Sequence, residues 1–123
     1  MKDLLLVGLG GFAGSVCRYG VGLSAARYFH GNFPLGTLIV NVIGSLLIGI
    51  LAGYFLKNQS QQALSLFLIT GFCGGFTTFS TFSFDNLKLI KEGMISTFAL
   101  YGLGSVLFGI LFCAAGFWLT YKS

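Results

Sequence analysis

Side chains able to do chemistry are few in this chain and lie far apart. Among 123 residues there is one histidine, His30, three cysteines, Cys17, Cys73 and Cys113, and three acids, Asp3, Asp85 and Glu92. No carboxylates are paired and no nucleophile stands beside a base, so the set supports neither acid–base nor covalent catalysis. The cysteines fall one to an apolar segment, never as Cys-x-x-Cys and never near His30. They read as small buried hydrophobes rather than disulfides or metal ligands.

What the chain offers instead is neutral polarity inside apolar sequence. Gly71 to Ser83 reads Gly-Phe-Cys-Gly-Gly-Phe-Thr-Thr-Phe-Ser-Thr-Phe-Ser. Adjacent glycines weaken a helix and Thr/Ser hydroxyls compete for backbone partners, so a local break is expected over Gly74 to Thr78. Freed carbonyls there would suit a cation, and freed N–H groups an anion. Phe79 and Phe82 are three apart and share a helix face. Their positive ring edges could favour a small desolvated anion without any full charge. Tyr101 and Ser105, four apart, align a phenol and a hydroxyl, and with Thr37 and Asn41 they form a candidate ladder of neutral donors. Asn41 has a second reading as polar glue between helices. Arg18, the single charge inside its apolar run, either snorkels to an interface or is tied to a polar partner within the protein.

The elements that must position these residues follow from composition. At 55% hydrophobic and 8% charged residues, the chain cannot build a water-soluble surface. Four apolar stretches, 4–26, 35–56, 63–84 and 94–119, each contain 22 residues or more, enough to cross roughly 30 Å of hydrocarbon as a helix. Phe29 to Pro34, Lys57 to Gln62 and Asp85 to Gly93 separate them. The expected fold is an all-α integral membrane protein, a single domain of four transmembrane helices with the third broken mid-membrane. The first stretch is not expected to be a cleaved signal peptide, because its apolar run is long and no Ala-x-Ala site follows. Gly8-x-Gly10-x-x-Ala13 formally fits a dinucleotide fingerprint, but no acid follows about twenty residues on and the context is lipid, so that reading is discarded.

Charge and small residues point to assembly. With four spans, Lys2, Lys57 and Lys122 share one side and Arg27, Lys88 and Lys91 the other, three against three. Orientation follows Lys/Arg bias, so a balanced chain has no strong preference. Either Arg18 or loop details decide a single orientation or, in the sharper reading, the topology is dual, with oppositely inserted copies pairing as an antiparallel dimer. Gly10-x-x-x-Gly14, Ser45-x-x-x-Gly49-x-x-x-Gly53 and Ser105-x-x-x-Gly109 supply faces for close helix approach.

Three of these segments carry a family resemblance: Gly10-Gly11-Phe-Ala-Gly14-Ser-Val-Cys-Arg18-Tyr19, Gly36-Thr37-Leu-Ile-Val40-Asn41-Val-Ile-Gly44, and Gly71 to Ser83. With them the chain resembles the Fluc (CrcB) family of bacterial fluoride channels over its whole length. The resemblance implies an antiparallel dual-topology homodimer in the bacterial cytoplasmic (inner) membrane, exporting fluoride passively through two pores at the subunit interface. By motif, it implies that Asn41, Phe79, Phe82, Tyr101 and Ser105 line the fluoride pathway and that Ser80 and Thr81 add polar contacts between the rings. It also implies that Gly74 and Thr77 give backbone carbonyls to a structural sodium ion shared between subunits, with Arg18 the arginine of the first-helix pattern. Two departures stand out: Asp85 where the family pattern usually has Glu, and Gly109 where a further hydroxyl often follows Ser105.

The competing reading is a small dual-topology proton-coupled cation exporter. Such a machine needs a membrane-embedded acid, whereas Asp3, Asp85 and Glu92 fall at segment ends or in loops. A non-transporting assembly subunit would use the packing motifs but not the Phe/Ser/Thr cluster. The expected partners are fluoride, sodium, the lipid bilayer and a second copy of the chain, with no nucleic acid.

Overall fold

The computed structural model describes residues 1–123 as helices joined by short linkers. Helix α1 (Lys2–Tyr28) ends where Phe29 turns extended, and α2 (Leu35–Lys57) starts directly after the only proline, Pro34. The third span is composite. It runs through α3 (Gln62–Ser65), a π-helix (Leu66–Cys73), α4 (Gly74–Phe76), two extended residues, and α5 (Phe79–Lys91). Helix α6 (Ile95–Tyr121) closes the chain. Four helical stretches, with Gln62–Lys91 taken as one, are long and apolar enough to cross a membrane. The protein is a multi-pass membrane protein.

The structure narrows one expectation about the third span and corrects another. Within the Gly74 to Thr78 stretch expected to break, the interruption lies at Thr77–Thr78, while Gly74 and Gly75 are helical. The glycines stay helical because Gly75 packs directly on α1, where an added Cβ would meet the backbone of Gly11. Asp85 to Lys91, read as part of a separator, continues α5 by two turns, and only Glu92 to Met94 link it to α6. The stop is a glycine one. Gly93 has φ +74, its N–H donates to Ile90 O at 3.0 Å, and Met94 N–H donates to Leu89 O at 2.9 Å. This double bond pattern satisfies the last carbonyls of the helix through a left-handed residue that glycine adopts without strain.

Packing divides the chain into two pairs, with α1 lying along the π-helix and α4, and α2 along α6. Glycines let the backbones touch. A Cβ on Gly10 or Gly14 would strike backbone atoms of Phe67, Phe72 or Phe76, and one on Gly49 would strike the Cys113 carbonyl. The Gly10/Gly14 and Gly49/Gly53 faces thus mediate close approach, whereas on α6 that role falls to Gly116, against the Leu46 and Ile50 backbone, and not to Gly109. Only 13 of 123 residues are buried, so most apolar side chains point outward, as a lipid environment permits.

Candidate functional site

The site is built around the interruption of the third span. Thr77 (φ −83, ψ 159) and Thr78 (φ −152, ψ 120) are both extended, which removes the helical partners of neighbouring backbone groups. Side chains take them over. Asn41 Oδ1 accepts from Thr78 N–H at 2.8 Å and Asn41 Nδ2 donates to Thr78 O at 3.1 Å, across 37 residues of sequence. Arg18 Nε donates to Gly75 O at 3.0 Å, placing a cation at the end of α4 where carbonyls point outward. The Thr78 hydroxyl accepts from Thr81 N–H at 3.2 Å and caps α5. The Thr77 hydroxyl bonds back to Cys73 O at 2.8 Å.

A cavity of about 370 Å³ opens beside this break. Asn41 and Ser45 of α2 form one wall, Thr77 and Thr78 the break itself, Phe79 and Phe82 the start of α5, and Ser105 comes from α6. The Ser105 hydroxyl oxygen is buried and has no hydrogen-bond partner. Since Asn41 spends its oxygen and one amide hydrogen on Thr78, one Nδ2–H remains for the cavity. The rings of Phe79 and Phe82 lie 5.9 Å apart at 45°.

Other sequence-predicted residues stand elsewhere. Thr37 and Thr81 share a second cavity of about 380 Å³ with Arg18 and Thr78. Thr37 also borders a third, of about 410 Å³, between the α1–α2 linker and the charged end of α5 with Asp85, Lys88 and Glu92. Tyr101 is fully buried behind Phe82, with ring centroids 5.2 Å apart, and its hydroxyl donates to Asp85 Oδ2 at 3.1 Å. Ser80 is exposed, its hydroxyl 3.3 Å from that of Thr78. Gly74 is exposed on the monomer surface. The structure thus gathers Asn41, Thr77, Phe79, Phe82 and Ser105 around one cavity, Arg18, Thr37 and Thr81 around its neighbour, and leaves Tyr101 and Ser80 off both.

The CrcB-like protein family, Camphor Resistance (CrcB), matches residues 5–117. The chain belongs to the CrcB family. It is 45% identical over 120 residues to the fluoride-specific ion channel FluC of Phocaeicola vulgatus, covering 98% of this chain and 99% of that protein. It is also 50% identical over 118 residues to the FluC of a Methylobacterium species, covering 95% and 94%, and 48% identical over 114 residues to that of Nitrobacter winogradskyi, covering 92% and 90%.

In this CrcB chain, sequence reasoning put Thr78 at the end of the break without its bonds to Asn41, and missed Ser45 beside the site and Phe33 behind Tyr101. Thr78 carries both backbone bonds to Asn41 and caps α5. Ser45 lines the main cavity, and its spacing of four from Asn41 puts both on one helix face, a signal that was available. Phe33 packs edge-on against Tyr101 at 5.5 Å and 81°. Nothing local in the α1–α2 linker announces that contact.

Proposed function

We propose that the chain is a fluoride-selective channel that lets cytoplasmic fluoride leave the cell passively across the bacterial cytoplasmic membrane. The observation that carries the reading is the break cavity. One free Asn41 N–H, an unpartnered Ser105 hydroxyl and the Phe79 and Phe82 rings converge there without any carboxylate. Fluoride is small and tightly hydrated, so it enters only where neutral donors and ring edges replace its water. Larger halides fit those donors less closely. The FluC names of relatives at 45 to 50% identity support the same reading.

The functional unit is an antiparallel homodimer of oppositely inserted chains, with the pores at their interface. Supporting this are the Lys/Arg balance, three to a side with Arg18 set aside, and the small buried fraction of the single chain. The third span breaks near mid-membrane, since Thr77–Thr78 falls at the centre of the Gln62–Lys91 stretch. A structural sodium ion fits the residues present. Thr78 N–H, the α-helical partner of the Gly74 carbonyl, turns to Asn41 instead, and Thr77 is extended. Gly74 and Thr77 would hold the ion through these backbone oxygens, ligands that suit a hard cation. No group of three or more His, Cys, Asp or Glu side chains offers a competing metal site. Bound there, sodium would supply fixed positive charge next to the anion route.

The test is efflux from liposomes loaded with fluoride or chloride and holding the purified protein, with an ionophore carrying the compensating charge. Fast fluoride release with chloride retained is expected. Equal release of both ions, or none of either, would remove the assignment.

A further inference from the structure

Along α6, the face that presents Tyr101 and Ser105 reaches Gly109 one turn later and has no side chain with which to continue. A Cβ built on Gly109 would point at α2, 3.5 Å from Ser45 Oγ, and would meet nothing else within 4 Å. Ser45 borders the same cavity as the buried, unpartnered hydroxyl of Ser105. It stands one turn beyond Asn41 and donates its own hydroxyl to Asn41 O at 2.6 Å.

We infer that Ser45 is the hydroxyl that receives the anion after Ser105, so that the polar track crosses from α6 to α2 where Gly109 leaves a gap. The inference rests on the fluoride-channel reading and adds a residue to it. Rotation about the Cβ–Oγ bond alone turns the Ser45 proton from the Asn41 carbonyl into the cavity, with Oγ and the helix staying in place. With no ion nearby the hydroxyl is satisfied by its own helix. With an anion beside it, a charge-assisted bond replaces the weaker neutral one. Serine bonding back to the carbonyl four residues earlier also occurs in membrane helices for purely local reasons. The two roles therefore have to be separated by experiment.

The parent, Ser45→Ala and Ser45→Ala/Gly109→Ser are reconstituted in liposomes and fluoride efflux is followed. Ser45→Ala should release fluoride roughly tenfold more slowly at a parental thermal midpoint, and the double variant should return to within about threefold of the parent. A Ser45→Thr and Ser45→Val pair, alike in shape and differing in the hydroxyl, should split the same way and covers the case in which Ser45→Ala fails to fold. A Ser45→Ala protein that matches the parent, a double variant as slow as Ser45→Ala, or equal rates for Thr and Val at position 45 would each overturn the crossing. A parent that moves no fluoride would overturn the channel reading and this one with it, whereas a conducting parent with an inert position 45 overturns only this one.

Discussion

Asn41 and Thr78 face each other as a side-chain amide against a backbone amide, with Oδ1 to N–H at 2.8 Å and Nδ2 to O at 3.1 Å. The pairing reproduces on one residue what a continuous helix would have divided between two turns. It lets the third span leave helical geometry in a solvent that offers the backbone no other partner. Each such bond is worth about 0.5–1.5 kcal/mol, and each group left unpaired in a buried place costs about 1–3 kcal/mol.

Removing the amide should therefore injure the fold first. Asn41→Ala is expected to lose roughly 2–6 kcal/mol, the sum for two unpaired backbone groups, seen as a lower thermal midpoint in detergent. Asn41→Asp keeps an acceptor for Thr78 N–H but sets a carboxylate oxygen against Thr78 O and against an anion in the cavity. It should lose fluoride flux more completely than stability. An Asn41→Ala protein as stable as the parent would show that the break does not depend on this pair.

The phenyl rings can be tested with a change of electrostatics at little change of bulk. Phe79 is 79% exposed in the single chain, and its one close aromatic neighbour is Phe82, so Phe79→Ile should assemble normally and lose about tenfold in fluoride flux, the equivalent of a ring-edge contact of about 1.4 kcal/mol. Phe82→Ile should lose as much and also loosen Tyr101, which it touches. Phe84, 60% exposed, is the control within the motif. Phe76, in contrast, is buried and stacks on Phe72 at 5.8 Å. Phe76→Ile should register as a stability loss, not as a selective defect in permeation. Parental flux in both Phe79→Ile and Phe82→Ile would make the rings packing residues.

Glycine substitutions should divide sharply by position. A Cβ on Gly71 would strike Gly10 Cα and Val7 O of α1, both at 2.9 Å, whereas one on Gly8 meets nothing within 4 Å. Gly71→Ala is expected to abolish the folded protein peak on size-exclusion chromatography. Gly8→Ala should be neutral or slightly stabilising, because alanine is the better helix former by about 1 kcal/mol. Equal behaviour of the two would mean that α1 does not lie against the π-helix.

Dual insertion predicts that a single cysteine at Ser60, in the linker between α2 and α3 and on a background lacking Cys17, Cys73 and Cys113, is labelled from both sides of intact membranes. Labelling from one side alone would leave a single orientation.

A required cation predicts that protein purified and reconstituted without sodium, in a large organic cation, loses fluoride flux and regains it when sodium returns. Undiminished flux in sealed sodium-free vesicles after long dialysis would argue that Gly74 and Thr77 hold no necessary ion.

The spans and the polar cluster were legible because both are local. Runs of apolar residues announce a membrane helix, and Asn41, Phe79, Phe82 and Ser105 stand out as polar or patterned residues within such runs. The break was legible as the range Gly74 to Thr78, but its place within that range was not, because it is decided by contacts distant in sequence. Gly74-Gly75 is the weaker helix former, yet α1 packs against Gly75 and holds it helical, while Asn41 takes over the backbone of Thr78. Charge likewise misled at Asp85 to Lys91, which reads as a loop only if helices stop at the membrane surface. The π-helix at Leu66–Cys73 has no composition of its own, and its wider turns lie where Gly10 and Gly14 let α1 approach.

The α1 crossing also bears on how the protein can recover from damage. At Gly10, Gly71 and Gly75 the atoms nearest an added methyl all belong to backbone, so no neighbouring side chain can be trimmed to make room. In a selection for restored fluoride resistance starting from Gly71→Ala, compensating changes at residues in contact with position 71 should therefore be missing. Recovered clones should be true revertants, or should carry changes in the Phe29 to Pro34 or Asn58 to Gln61 linkers that let the two helices move apart as whole bodies.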